Sequence, residues 1–257
     1  MGRGRHPPQW RQAGKVHVVP EGIDADLFGP DGDRLAFIDG IDGFKFLHVG
    51  KAEPRKGTFE LLQAFDRAFG DEPVHLVLAC HNRMIPGFDT VRFIENMCLR
   101  RRRWIVPVQP LVERVGIAAL YRSCDAFLAP SKAEGWGLPP LEAMASGLPT
   151  ALTHYSGHTA FADDDNSTPI PFSMGLLDPG ALPNFPRQDG DYGSWAEPDI
   201  DGLAQVMRRM YQDRDALRAR ALGQAKRIRR DWSWDAAAAK ACTRIADLVG
   251  MKALEVA

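Results

Sequence analysis

Charge imbalance is almost absent from this sequence: 32 Lys and Arg face 33 Asp and Glu, a net charge of −1 at pH 7. The chain therefore has no long-range attraction for nucleic acid or for an anionic membrane surface. Cysteine is scarce and scattered. Cys80, Cys98, Cys124 and Cys242 form no Cys-x-x-Cys pair, and they read as buried thiols of a reducing compartment, which makes the cytoplasm the expected location. No apolar run approaches the roughly 18 residues of a membrane span, and the opening MGRGRHPPQW lacks the apolar segment of a signal peptide. No strand-like run leads into Gly-x-Gly-x-x-Gly, which argues against a dinucleotide-binding oxidoreductase. There is no internal repeat, and no low-complexity segment beyond the alanines 236–239.

What is present suffices for a sizeable core: 45% of the 257 residues are hydrophobic, a length that allows one large domain or two small ones. Short apolar runs at residues 44–49 (FKFLHV), 74–79 (VHLVLA), 104–108, 125–129 and 149–153 predict strands. Helical patterns lie between them. Residues 58–69 carry Phe59, Leu62, Phe65 and Phe69 at helical spacing with Thr58 as N-cap, and residues 90–102 carry Val91, Ile94 and Cys98, with arginines 100–103 at the C-terminal end. That arginine run reads as a solvated face, not a nucleic-acid patch. A further helix is predicted over 117–123. Later, Asp199 caps a helix with Ile200, Leu203, Val206 or Met207, and Met210 on one face, a second covers 213–230, and Ser233 caps a last one reaching Gly250. Residues 1–14 are expected to be poorly ordered, 16–28 to include a short strand, and 175–193 to form a long loop. Regular alternation of strand and helix predicts an α/β domain whose parallel sheet is covered on both faces, with ligand sites outside the carboxyl ends of the strands.

The chemistry concentrates at residues 129–152, APSKAEGWGLPPLEAMASGLPTAL. Pro130 ends the strand before it. Gly135 and Gly137 let backbone approach a ligand, and Pro139 and Pro140 suit the first turn of a helix that Gly147 is placed to cap. A helix start favours anions, whereas carboxylates such as Glu134 and Glu142 accept from sugar hydroxyls. Together they point to a ligand bearing both phosphate and hydroxyls, such as a nucleotide sugar; alternatively, they are two solvated glutamates on an ordinary strand-loop-helix unit. Upstream, Lys51, Arg55 and Lys56 set cations beside a second helix start at Gly57, or form a solvated basic loop. A third loop, residues 153–161, offers Gly157 for close approach and His158 as a possible contact, and His81 and Arg83 follow the second strand.

The order Glu134, seven residues, Glu142, with the intervening glycines and prolines and the run Leu-Glu-Ala-Met-Ala, resembles the donor-site motif of retaining glycosyltransferases of family four, glycosyl transferases of group one. The resemblance covers about residues 16–248. It implies a Rossmann-like three-layer α/β domain with a parallel sheet, the C-terminal half of the two-domain glycosyltransferase-B (GT-B) fold. Residues 1–40 would then be an N-terminal arm and linker-like segment, 41–230 the nucleotide-sugar-binding domain, and 231–257 a helix that packs on a first domain. It further implies that Glu134 orients the donor sugar, that Arg55 and Lys56 stabilise the leaving diphosphate, and that Lys51, Gly135, Trp136, Gly137, Leu138, Glu142 and Gly157 bind the donor, Glu142 at the ribose. Lys51 stands where the family usually has Arg, and CHNRMIPGF after the second strand replaces a Gly-rich turn. The donor would be a nucleoside-diphosphate sugar, transferred with retention, with no obligatory metal and no cofactor. Because only about fifteen residues precede the linker-like segment, the expected partners are a separate acceptor domain or a second copy. The alternative is a non-catalytic or partner-dependent nucleotide-sugar-binding module. A nucleotide-sugar epimerase or a phosphorylase of the same architecture lacks the acid/base residues or the cofactor lysine it would need.

Overall fold

A computed structural model of the chain describes residues 16–82, 84–177 and 192–250. The expected arm at 1–14, Arg83 and most of the 175–193 loop lie outside the described residues. Six strands, β1 (Phe44–Lys51), β2 (Val74–His81), β3 (Ile105–Pro107), β4 (Ala126–Ala129), β5 (Thr150–Leu152) and β6 (Thr168–Pro169), form one sheet. Every pairing in it is parallel, in the order β3-β2-β1-β4-β5-β6. This is the doubly wound, Rossmann-like order, and the strand order reverses between β1 and β4. A crevice at the carboxyl ends of those two strands follows from the topology.

Helices α1 (Ala36–Asp39), α2 (Thr58–Ala68), α3 (Thr90–Asn96), α4 (Arg114–Arg122), α5 (Leu138–Ala145), α6 (Ile200–Gln212), α7 (Arg214–Asp231) and α8 (Trp234–Val249) complete the order. Period-two alternation divides the sheet between two cores. Phe46, Leu76 and Leu78 pack with Leu62 and Phe65 of α2 and Met207 of α6, while Leu47, Val77 and Phe127 pack with Tyr121 of α4 and Leu141 and Met144 of α5. Both faces are dry, so the central strands read as continuous apolar runs. Ile23, Phe28 and Ile38 join the second core.

Several expectations are corrected. Residues 16–28 form no strand; Ile23 makes an isolated parallel bridge to Ser233, donating to Trp232 O and accepting from Trp234 N. Gly57, at φ 66°, precedes α2 in the N-cap position, and Thr58 turns its hydroxyl inward instead of capping. Phe59 is half exposed while Leu61 is fully buried, because the inward face of α2 is Leu61, Leu62, Ala64, Phe65 and Ala68. Helix α3 stops at Asn96, since Cys98 adopts φ 50°, and the arginines follow in a separate turn. Arg101 is 3% exposed. Its guanidinium donates to the carbonyls of Gly70, Glu72 and Val74 and stacks 5.2 Å from the Phe65 ring and 5.0 Å from that of Trp104. Local aromatics and three carbonyls draw this one arginine out of the solvated run, whereas Arg100, Arg102 and Arg103 stay exposed beside Asp66, Glu95 and Asp71. Of the cysteines, Cys80 and Cys124 are buried but Cys98 and Cys242 are exposed. An antiparallel hairpin, β7 (Phe172–Leu176) with β8 (Ser194–Pro198), frames the long loop.

Two of the three N-caps read from the sequence are made: Asp199 accepts from Asp201 N, and Ser233 Oγ accepts from Ala236 N at 3.0 Å. Ser233→Ala removes an acceptor from a helix start and should cost about 1 kcal/mol of stability. Urea denaturation measures it; an unchanged midpoint would mean that the bridge to Ile23 alone holds this junction. Helix α8 presents Trp234, Ile245, Leu248 and Val249 to solvent. No helix among the described residues is long and apolar enough to cross a membrane.

Candidate functional site

Three loops leave the carboxyl ends of β1, β4 and β5 and close on one another through backbone. A Cβ on Gly57 would lie 2.0 Å from the Pro130 carbonyl oxygen, and Lys132 N donates to Arg55 O at 2.8 Å, so the basic loop and the β4–α5 loop touch without side chains between them. The third loop is equally close. Gly157 N donates to Glu134 O at 3.0 Å, Glu134 N donates to Ser156 Oγ at 2.8 Å, and a Cβ on Gly157 would lie 2.6 Å from Gly135 O. Glycine at 57 and 157 is thus required by packing.

Glu134 sits where the loops meet, its side chain 7% exposed. Lys56 Nζ donates to Oε1 and Arg55 Nη1 to Oε2, each at 2.6 Å; Arg55 also donates to Ala133 O at 2.8 Å and to Glu53 Oε1 at 2.6 Å. Burial acts to raise the carboxyl pKa, but Lys56 and Arg55 outweigh it and hold Glu134 below the usual carboxylate range. Lys51, exposed at the end of β1, takes no part in this cluster. Beneath it His48 is fully buried. Its Nδ1 lies 2.8 Å from the Leu128 carbonyl, which only accepts, so the ring is the Nδ1–H tautomer and Nε2 accepts from the Thr58 hydroxyl at 3.1 Å. Burial pushes its pKa down to about 4.

Helix α5 begins at Leu138 after Gly137, whose φ is 111°. Pro139 and Pro140 carry no N–H, which leaves the amides of Trp136, Gly137 and Leu138 as the donors at this helix start. His158 lies under the turn. It is 1% exposed, its Nδ1 donates to Thr153 O at 3.0 Å, and a Cβ on Gly137 would fall 2.6 Å from its Cδ2. The histidine supports the turn from below and has no open face to a ligand. Trp136 packs its ring 5.9 Å from Phe161 and 5.6 Å from Trp232, so the motif loop rests on the junction before α8. Glu142, one turn into α5, accepts from the Tyr121 hydroxyl at 3.0 Å and has Arg114 at 3.8 Å. Burial pushes its carboxyl up to about 7.

A groove of about 530 Å³ is lined by Lys56, Glu134, Trp136, Leu138 and, from the linker side, Val18 and Val19. Hollows of about 570 Å³ lie elsewhere, one near Gly43 and Asp125 at the amino ends of the strands. The doubly wound topology and the charged cluster both select the groove at the carboxyl ends. Two contributors went unseen in the sequence. Lys132 bridges Glu60 at 2.8 Å and Glu197 at 2.6 Å with its ammonium 4.8 Å from the Trp195 ring, fastening the hairpin beside the site. Tyr121 is the other, and only its place on an amphipathic helix marked it.

The chain is thus a Rossmann-like domain with a charged groove beside a helix start, at the carboxyl ends of its parallel strands. The family described as glycosyl transferases group 1 matches residues 40–168, and the chain belongs to it. Similarity extends to D-inositol 3-phosphate glycosyltransferase of Xylanimonas cellulosilytica, 31% identical over 237 residues, covering 88% of this chain and 49% of that protein. Among solved structures, sucrose-phosphate synthase from Thermosynechococcus elongatus matches with a TM-score of 0.69 at 20% identity, over 93% of this chain and 54% of that one. Anabaena HepE in complex with UDP-glucose matches with a TM-score of 0.62 at 16% identity, over 89% and 56%. The fold is that of GT-B glycosyltransferases. The chain spans about half the length of the curated relatives it matches.

Proposed function

We propose that this chain binds a nucleoside-diphosphate sugar and presents it for retaining transfer of the glycosyl group to an acceptor. The observation that carries the reading is Glu134 held between Arg55 and Lys56, beside the free amides at the start of α5. In this reading the diphosphate takes the two cations and the amides of Gly137 and Leu138, Glu134 accepts from sugar hydroxyls, and Glu142 meets the ribose. As the glycosidic bond breaks toward an oxocarbenium-like state, negative charge grows on the leaving diphosphate, and preorganised cations and dipoles stabilise it. The reaction calls on no resident cofactor and no obligatory metal.

Turnover is assigned to an assembly with an acceptor-binding partner or domain. Val18 and Val19 on the rim of the groove, and Ile245 and Leu248 on α8, are exposed apolar groups of the kind that a second surface covers. Calorimetric titration with uridine, guanosine and adenosine diphosphates, and with the glucose and mannose conjugates of each, tests the donor reading. One base should bind saturably, and Glu142→Ala and Lys56→Ala should each weaken it at least tenfold. If the folded chain binds none, the donor reading falls.

A further inference from the structure

Glu142 shares its hydroxyl donor with a second acceptor. The Tyr121 oxygen lies 3.0 Å from Glu142 Oε2 and 3.1 Å from the carbonyl oxygen of Pro139. A phenol has one proton, and a carbonyl only accepts. With Glu142 ionised, the single phenol proton serves only one of the two. With Glu142 neutral, the carboxyl proton is donated to the Tyr121 oxygen and the phenol proton to Pro139, and both bonds are made. Tyr121 is fully buried, its ring 5.9 Å from Phe28 and 5.7 Å from Phe127, which keeps the hydroxyl at this place.

Few charges compete at this point. From α4 the facing groups are Tyr121 itself and Arg114, whose Nη2 is 3.8 Å from Oε1. Helix α5 carries no other titratable side chain, and from α7 Arg218 bonds the Gly147 carbonyl beyond the far end of α5. On the groove side Lys56 and Glu134 pair with each other. Burial opposes the charged form of Glu142, which agrees with a proton held there near neutral pH.

We propose that Tyr121 is a positioning residue for Glu142, moving its single hydroxyl proton between Pro139 and Glu142, so that a nucleoside diphosphate binds with release of a proton. The inference rests on the reading of Glu142 as the ribose contact. Ribose hydroxyls donate to a carboxylate and so favour its ionised form. The carboxyl proton then passes to solvent, the Tyr121 hydroxyl turns to Glu142, and the Pro139 carbonyl gives up the phenol as a second donor while keeping its place in the α5 ladder.

Titration of the full chain with carbon-13 carboxyl-labelled glutamate, followed by NMR without ligand, tests the switch. The Glu142 resonance should titrate near pH 7, and Tyr121→Phe should raise the midpoint by about one pH unit, because a donor to the charged form is lost. Fluorotyrosine incorporated throughout, a more acidic phenol and a stronger donor, should lower it. An unmoved midpoint in folded Tyr121→Phe overturns the proposal; if that variant does not fold, an unmoved midpoint in the fluorotyrosine chain does so. Calorimetry with uridine, guanosine and adenosine diphosphates at pH 7, in two buffers of different ionisation enthalpy, reads the proton. Release of a fraction of one proton, abolished by Glu142→Gln, supports the proposal, and diphosphate binding without release overturns it. Failure of all three diphosphates to bind, with the NMR shifts present, refutes the donor reading and leaves the Tyr121 switch established.

Discussion

Glu134→Gln should tighten the binding of a bare nucleoside diphosphate by about tenfold, whereas Lys56→Ala should weaken it by about 10- to 100-fold. The opposite signs follow from the geometry. In the empty domain both carboxylate oxygens of Glu134 are engaged at 2.6 Å, one by Lys56 and one by Arg55. A diphosphate that claims these cations competes with Glu134 for them. A neutral amide keeps the shape, accepts more weakly and releases the cations, while loss of Lys56 removes a charge-assisted hydrogen bond of about 1.5–3 kcal/mol. Glu134 repays its competition only when a sugar is present to donate to it. The gain in affinity from diphosphate to diphosphate-sugar should therefore shrink in Glu134→Gln and persist in Lys56→Ala. Calorimetry on the four combinations measures this, and a fall in diphosphate affinity in both variants would show that Glu134 is no competitor for the cations.

The parts of this molecule that were legible in sequence are those fixed by neighbours in the chain. Strands β1 and β2, the caps Asp199 and Ser233, and the glycines around Glu134 each follow from a short window. That Glu134 and Lys56 come together was legible because a doubly wound sheet puts the ends of β1 and β4 side by side, so two loops 78 residues apart in sequence had to meet. What was hidden depends on distant partners. Nothing near Arg101 says that it turns inward, because the carbonyls it satisfies end the turn after α2. Lys132 lies in the loop after β4, and its two glutamates come from α2 and β8. In α2 either of two phases of apolar residues could have faced the sheet, and local pattern could not choose between Phe59 and Leu61. Thr58 was a reasonable cap until His48, buried beneath it, claimed the hydroxyl.

That same His48 and Glu142 should give the domain two opposed pH dependences that nearly cancel in the wild type. Burial lowers His48 from 6.5 to about 4 in the folded chain. Between those values the unfolded state binds more protons, so stability is complete above about pH 6.5 and falls by about 3 kcal/mol as pH drops to about 4. Glu142 is raised from 4.5 to about 7, so the folded state binds more protons, and stability is complete below about 4.5 and falls by about 3 kcal/mol as pH rises through about 7. Glu134, held low by its cations, adds stability that is lost only at the acid edge, below about pH 4.5. Wild-type stability should thus be nearly flat from about pH 4.5 to 6.5 with respect to His48 and Glu142. His48→Gln removes the first slope, and stability should then fall steadily with rising pH. Glu142→Gln removes the second, and the variant should gain stability with rising pH up to about 6.5 and exceed the wild type above pH 7 by up to about 3 kcal/mol, while losing the ribose contact proposed for it. Urea denaturation at four pH values between 4.5 and 7.5 reads all three curves. Parallel curves would mean that neither group keeps its buried protonation state, whereas divergence in these directions would make Glu142 a carboxyl kept in the site against the stability of the empty fold.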